Sequence, residues 1–197
     1  MTQGQLFETP PALPSGLLYR PEFVSPDEEA ALLAEIHNLP LAEARYKQFT
    51  ARRRIVSYGG TYDFSSQELL PAGPIPAFLH PLRERLAAWA GIPASQFSHA
   101  LIAEYQTGTP LGWHRDVPDF EVIAGVSLGG PGRMRLRRYP HVKGRRESLI
   151  LDLEPRSAYL LRDEARWRWQ HSIPPTKNLR YAITFRTRAG EAKLLAP

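Results

Sequence analysis

The sequence predicts a mainly β protein with flanking helices (α+β), and three observations lead there. After about residue 98 the chain breaks into short apolar runs separated by glycine and proline, the texture of a β-sandwich or barrel. Met134 and Leu136 alternate with Arg133, Arg135 and Arg137, the period of a strand with one wet face. Ahead of that region, two stretches carry apolar stripes at helical spacing. At 197 residues a single domain with a substantial core is the simplest arrangement.

Taken in order, residues 1–15 with Pro10, Pro11 and Pro14 read as a loose N-terminal arm, ahead of one domain over 16–197. Leu17 to Phe23 is strand-like. Ser25-Pro26-Asp27-Glu28 starts a helix, with a serine cap, proline at the first helical position and glutamate three residues after the cap. Ala30, Leu32, Leu33 and Ile36 form its buried stripe, which stops before Pro40. A second helix is predicted over Pro76 to Ala90, ended by Gly91 and Pro93, with Pro81 either kinking it or marking its true first turn. Strands are predicted over 99–106, 122–128, 132–139, 147–153, 157–162, 167–172 and 180–187. The pair 132–139 and 147–153 reads as a hairpin with Pro140 and Gly144 in its connection.

Composition narrows the function classes. The chain has no cysteine, which excludes disulfides, cysteine zinc sites and a cysteine nucleophile. No secretory leader pattern and no apolar run of membrane-spanning length are present, so the expectation is a cytoplasmic protein without a membrane partner. The net charge is +5, and seven of the 25 basic residues lie between Arg133 and Arg146. A local basic patch of this kind suits a polyanion, while a solvated hairpin face is the ordinary alternative.

The chemistry is concentrated in His114-Arg115-Asp116, His171 and Arg180-Tyr-Ala-Ile-Thr-Phe-Arg186. Two imidazoles and one carboxylate can occupy one face of an iron(II) ion and leave the opposite positions open, the ligand set of non-haem Fe(II) oxygenases. On an extended strand His114 and Asp116 would project to the same face. Arg180 and Arg186 can hold an anionic cosubstrate by forked hydrogen bonds to carboxylates. A zinc hydrolase could use a similar triad, but it leaves the two arginines without a reason.

With these residues in view, the sequence resembles the AlkB family of Fe(II)/2-oxoglutarate-dependent dioxygenases. Thr61-Tyr-Asp-Phe64, Tyr105 through Gly-Trp-His-Arg-Asp116, His171-Ser-Ile-Pro174 and Arg180 to Arg186 carry the likeness, over about residues 50–188. The resemblance implies a double-stranded β-helix (jelly-roll) core over 99–188 and a nucleotide-recognition lid over 45–66. It also implies Fe(II), 2-oxoglutarate and O2 as the reaction's metal and cosubstrates. His114, Asp116 and His171 correspond to the iron ligands. Arg180, aided by Tyr105, corresponds to the partner of the distal carboxylate, and Arg186 to a second arginine near the chelating end; a core tyrosine is the ordinary alternative for Tyr105.

In the lid, Tyr62 and Phe64 match aromatics that pack on a flipped base and Tyr58 lies nearby, although tyrosine and phenylalanine two apart also suit the inward face of a strand. Lys143, Arg145 and Arg146 at the hairpin tip are candidates for phosphate contacts. The implied function is oxidative dealkylation of nucleobases in DNA or RNA, a direct-reversal repair. Ala103 and Ala182 stand where family members carry asparagine, and Pro118 where DNA-repairing relatives often carry an acid. Those departures keep open an oxygenase acting on a protein side chain or small metabolite, and a nucleic-acid-binding protein with an inactive site.

Overall fold

The computed structural model describes residues 13–46, 49–63, 66, 68–141 and 148–190. Most of the N-terminal arm, together with Phe64, Lys143, Arg145 and Arg146, lies outside the described residues. Among the described residues thirteen strands and three α-helices form three layers. The first part of the chain comprises β1 (Leu17–Arg20), α1 (Pro26–His37), β2 (Ala42–Tyr46), β3 (Phe49–Tyr58), β4 (Thr61–Asp63), β5 (Glu68–Leu70) and α2 (His80–Ala90). There follow β6 (Phe97–Tyr105), β7 (Leu111–His114), β8 (Phe120–Gly129), β9 (Gly132–Arg138) and β10 (Ser148–Leu153). The chain closes with β11 (Ala158–Leu161), α3 (Asp163–Trp167), β12 (Trp169–Ile173) and β13 (Arg180–Arg188).

A seven-stranded sheet runs β1-β11-β8-β13-β6-β3-β2 and a four-stranded sheet runs β10-β9-β12-β7. Among the described residues all of their pairings are antiparallel. The β4–β5 pair forms a separate hairpin. This is the expected mainly β fold, with α1 and α2 on one face of the larger sheet and α3 packed at the core between the sheets. Among the described residues no helix is long and apolar enough to cross a membrane.

The helices form where local chemistry favours them. Ser25 Oγ accepts from Glu28 N at 3.2 Å and Glu28 Oε2 accepts from Ser25 N at 2.7 Å, a closed capping box. Leu32 and Ile36 are the buried positions of α1. Pro81 sits in the first turn of α2, which a 3₁₀ turn at Ala77–Leu79 precedes, and Gly91 ends it at φ 70°. Proline therefore starts this helix rather than kinking it.

Alternation along the strands separates two cores. From β6 and β13, Ala100, Ile102, Ile183 and Phe185 join Leu79, Leu82 and Leu86 on the helix side. Their neighbours Leu101, Ala103, Tyr105, Arg180, Ala182, Thr184 and Arg186 line the cavity between the sheets. Met134, Leu136, Leu151, Leu153 and Trp169 close the space from the smaller sheet, against Ile123 and Tyr159. Two glycines make room where the walls approach. A Cβ on Gly125 would overlap the Tyr159 ring, and one on Gly132 would stand 2.6 Å from Arg180 Nε.

Gly125→Ala is expected to destabilise the protein by about 1–3 kcal/mol, because the buried Tyr159 ring has to be displaced. Denaturant unfolding measures this; an unchanged midpoint would mean that the ring moves freely.

Candidate metal centre

His114 ends β7 and His171 lies at the middle of β12, directly opposite it across the antiparallel pair. Their ring centroids are 4.2 Å apart. Between this pairing and Ile173↔Leu111 the register shifts: two residues along β12 are matched by three along β7. The bulge lets both Leu111 and His114 face the cavity, while Trp113 between them packs under outward arginines. Local propensity alone would not produce that placement.

Asp116 is not on the strand. β7 stops at His114, so the same-face argument for two residues on one strand does not describe the way the carboxylate arrives. It is carried by the following loop, and buried Arg166 of α3 shapes that loop. Arg166 Nη2 donates to the carbonyls of Asp116, Val117 and Phe120 at 3.1, 2.7 and 2.8 Å, and Nε donates to Phe120 at 3.1 Å. One buried guanidinium thus donates to the carbonyls of Asp116, Val117 and Phe120 and ties the turn together. No motif signalled Arg166, because a segment with Arg162, Arg166 and Arg168 reads as solvent-facing.

The three side chains converge. One ligand atom from each of His114, Asp116 and His171 lies within 4.8 Å of the others, which makes them a group able to hold a metal ion. Asp116 Oδ1 accepts from Arg186 Nε at 2.9 Å, and Oδ2 lies 3.8 Å from His171 Nε2. His114 Nδ1 stands 2.9 Å from the Gly112 carbonyl. Donation to that carbonyl leaves Nε2 as the lone-pair nitrogen, the orientation a metal-binding imidazole needs.

Electrostatics prepares the same ligands. Burial would raise the Asp116 pKa, but Arg186 and the neighbouring cationic groups outweigh it and hold the carboxyl below the usual carboxylate range. Burial, reinforced by His114, pushes His171 down to about 3. Burial also lowers His114. The trio is therefore two neutral imidazoles and one carboxylate, the protonation state that a divalent iron ion requires. Arg186 Nη1 also lies 3.4 Å from Nδ1 of His99, whose pKa burial and Arg186 lower to about 3. His99 is a further residue that the sequence reading did not single out.

At the other end of the cavity, Arg180 is 2% exposed. Its Nε donates to Ser127 Oγ at 3.0 Å, and its guanidinium lies 5.1 Å from the centroid of Tyr105. Among the described residues no carboxylate pairs with it. A buried guanidinium without an anion is costly and fits a ligand that brings a carboxylate. Tyr159, also on the cavity wall, is pushed up to about 12, mainly by burial and then by Asp116, so its hydroxyl keeps its proton.

The lid residues divide. Tyr58 packs on the helix-side core and does not face the cavity. On β3 the odd positions Arg53 and Ile55 take the inner face, so the structure does not bring Tyr58 to the site. Tyr62 on β4 is half-buried, its pKa raised by burial and by the charge of Asp119. That places it beside the loop that follows Asp116.

Comparisons with known proteins agree with this geometry. Residues 16–186 match the 2OG-Fe(II) oxygenase superfamily. The Arabidopsis thaliana alkylated DNA repair protein ALKBH8 homolog is 33% identical over 186 residues, covering 82% of this chain and 51% of that protein. The Danio rerio probable RNA/DNA demethylase ALKBH6 is 23% identical over 169 residues, covering 81% and 70%. The chain thus spans about half the length of the first relative. The OsALKBH1 structure superposes with a TM-score of 0.70 at 14% identity, over 89% of this chain and all of that one.

Two outcomes follow from this geometry. Arg166→Met should loosen the Asp116 loop and weaken Mn(II) binding about 10–100-fold, the range for losing an outer-shell partner. Equal titration curves for variant and wild type would leave Arg166 a purely structural residue. Acid should destabilise the metal-free protein. Unfolded histidines take up protons near 6.5, whereas His99 and His171 in the folded state resist protonation down to about 3. The unfolded chain binds more protons in that window, so the melting temperature should fall as the pH drops below about 6.5. A flat melting profile between pH 7 and 4.5 would contradict the burial of neutral imidazoles.

Proposed function

The chain belongs to the 2OG-Fe(II) oxygenase superfamily as an AlkB-like dioxygenase, and from that membership we propose that it removes alkyl groups oxidatively from nucleobases of DNA or RNA. His114, Asp116 and His171 hold the iron in this reading. Arg180 and Tyr105 receive the far carboxylate of 2-oxoglutarate. The observation that carries the assignment is the pairing of the triad with a buried arginine that no carboxylate pairs with among the described residues.

Iron with 2-oxoglutarate and O2 supplies oxidation of an N-alkyl carbon, yielding succinate and CO2 and releasing an aldehyde as the base is restored. The protein's part is placement. Arg186 takes one oxygen of Asp116 and leaves the other toward the histidines. Arg180 and Tyr105 set the cosubstrate's direction along the cavity. Leu111, Met134, Ile123 and Ile173 surround it with apolar wall, which limits water near the reacting carbon.

Support for a nucleic-acid substrate comes from the AlkB-like relatives and from the outer face of the smaller sheet. There the Arg135 and Arg137 guanidiniums lie 5.2 and 4.3 Å from the Trp113 ring centroid. Ser172 and Gln170 accept from their Nε atoms at 3.2 and 3.0 Å. Neither arginine pairs with a carboxylate among the described residues, in contrast to Arg133, which Asp152 neutralises at 2.7 Å. Packed near the tryptophan and anchored at Nε, both forks keep their outer N–H groups for phosphate oxygens. Lys143, Arg145 and Arg146 extend this face in the same reading, and Tyr62 and Phe64 hold the extruded base. A cytoplasmic location completes the proposal.

Mass spectrometry of methylated and etheno-modified oligonucleotides, incubated with the protein, Fe(II), ascorbate and 2-oxoglutarate, tests the function. The alkyl group should be lost with wild type and retained with His171→Ala. Turnover of 2-oxoglutarate with every oligonucleotide left unaltered would move the substrate to a protein side chain or metabolite. In the same system Arg135→Ala with Arg137→Ala should flatten the log–log salt dependence of oligonucleotide affinity by about 1.4–1.8 units, if each contacts one phosphate.

A further inference from the structure

Arg53 lines the same cavity as Tyr105 and Arg180, beside the proposed cosubstrate site. In the larger sheet Arg180 is opposite Tyr105, and β3 lies on the other side of β6, where Arg54 pairs with Glu104. The antiparallel register therefore puts Arg53 next to Tyr105 on the cavity face. Arg180, Tyr105 and Arg53 form one row across three strands. The Arg53 guanidinium lies 5.9 Å from the Tyr105 centroid, against 5.1 Å for Arg180. Its Nη1 donates to the tyrosine hydroxyl at 3.4 Å.

Three observations say that this arginine awaits an anion. Its Nε is buried with no hydrogen-bond partner among the described residues. No carboxylate pairs with it among the described residues, whereas the adjacent Arg54 is neutralised on the opposite face by Glu104 at 3.0 Å. Ile55, Ala103, Leu111 and Ala182 pack around the row, and none of these four offers a side-chain donor. Two guanidiniums on one tyrosine repel each other unless negative charge lies between them. The buried orphan nitrogen and the shared tyrosine ring favour a small anion inside the cavity over a phosphate at the surface.

We propose that Arg53 is the second guanidinium of the cosubstrate clamp: with Arg180 it grips, around Tyr105, the 2-oxo acid's carboxylate remote from iron. The inference rests on Arg180 as a cosubstrate ligand and is independent of the nucleobase reading. It makes Arg53 a specificity residue that selects 2-oxo dicarboxylates over 2-oxo monocarboxylates.

The test is calorimetric titration of the Mn(II)-loaded protein, without turnover, using 2-oxoglutarate and 2-oxobutyrate, which lacks the far carboxylate. Arg53→Gln should weaken 2-oxoglutarate binding about ten- to a hundredfold, the range for losing a charge-assisted hydrogen bond. Binding of 2-oxobutyrate should move much less. Arg53→Lys, which keeps the charge but loses the fork, should fall between the two. Equal weakening of both acids would assign Arg53 a structural role and overturn the proposal. Unchanged 2-oxoglutarate affinity with weaker oligonucleotide binding would assign it to the substrate and also overturn it. Loss in Arg180→Gln but not in Arg53→Gln would overturn the second arm alone, and loss in neither would remove the clamp altogether.

Discussion

An ionised carboxylate has to be kept inside the protein, and the open end of the sandwich is organised around that demand. Asp116 lies off the end of its strand, where neither sheet can hold it. Arg186 balances its charge through Nε and is itself placed by β13 and by the ring of His99. Arg166 does not touch the carboxylate oxygens; it holds the backbone that carries them. Charge and position are thus supplied by different arginines on different elements. Because one carboxylate oxygen is committed to Arg186, the other is left toward the imidazoles.

The two sheets divide the chemistry between them. The smaller sheet supplies His114 and His171 through a direct cross-strand pair, so their mutual spacing is a property of strand pairing rather than of side-chain reach. The larger sheet supplies the cations, spaced along β13 at Arg180 and Arg186 and continued sideways to Arg53. Six residues of extended chain separate the two β13 arginines by about 20 Å. An elongated dianion with one end at the metal and the other near Tyr105 is the shape this arrangement accommodates.

Much of this was legible in the sequence where the signal is local or alternating. The α1 capping box, the period-2 texture of β9, and the closely spaced His114 and Asp116 all lie in short stretches. What stayed hidden depends on partners far along the chain. The β7 bulge exists only because β12 runs beside it, and β7 itself is too short and glycine-interrupted to stand out. Tyr58 seemed to belong to the site because aromatics cluster near it, yet the face it occupies is decided by the pairing of β3 with β6. Arg166 and Arg53 share one cause of invisibility: arginines in basic runs resemble solvated surface, and only the fold shows which are enclosed.

The stretch Arg52-Arg53-Arg54-Ile55-Val56 is nearly degenerate under a one-residue slip of β3. Arginine would replace arginine, and isoleucine would exchange with valine, so the inner face would look almost unaltered. The asymmetry that distinguishes the two alignments lies on the far side of the sheet. Buried Glu104 accepts from Arg54, Gln106 and Tyr181 at 3.0, 3.0 and 3.2 Å. Arg54 is 44% exposed, so its ion pair adds little to stability. Its value is as a tie-breaker: a weak bond on the outer surface determines which of three identical side chains enters the interior.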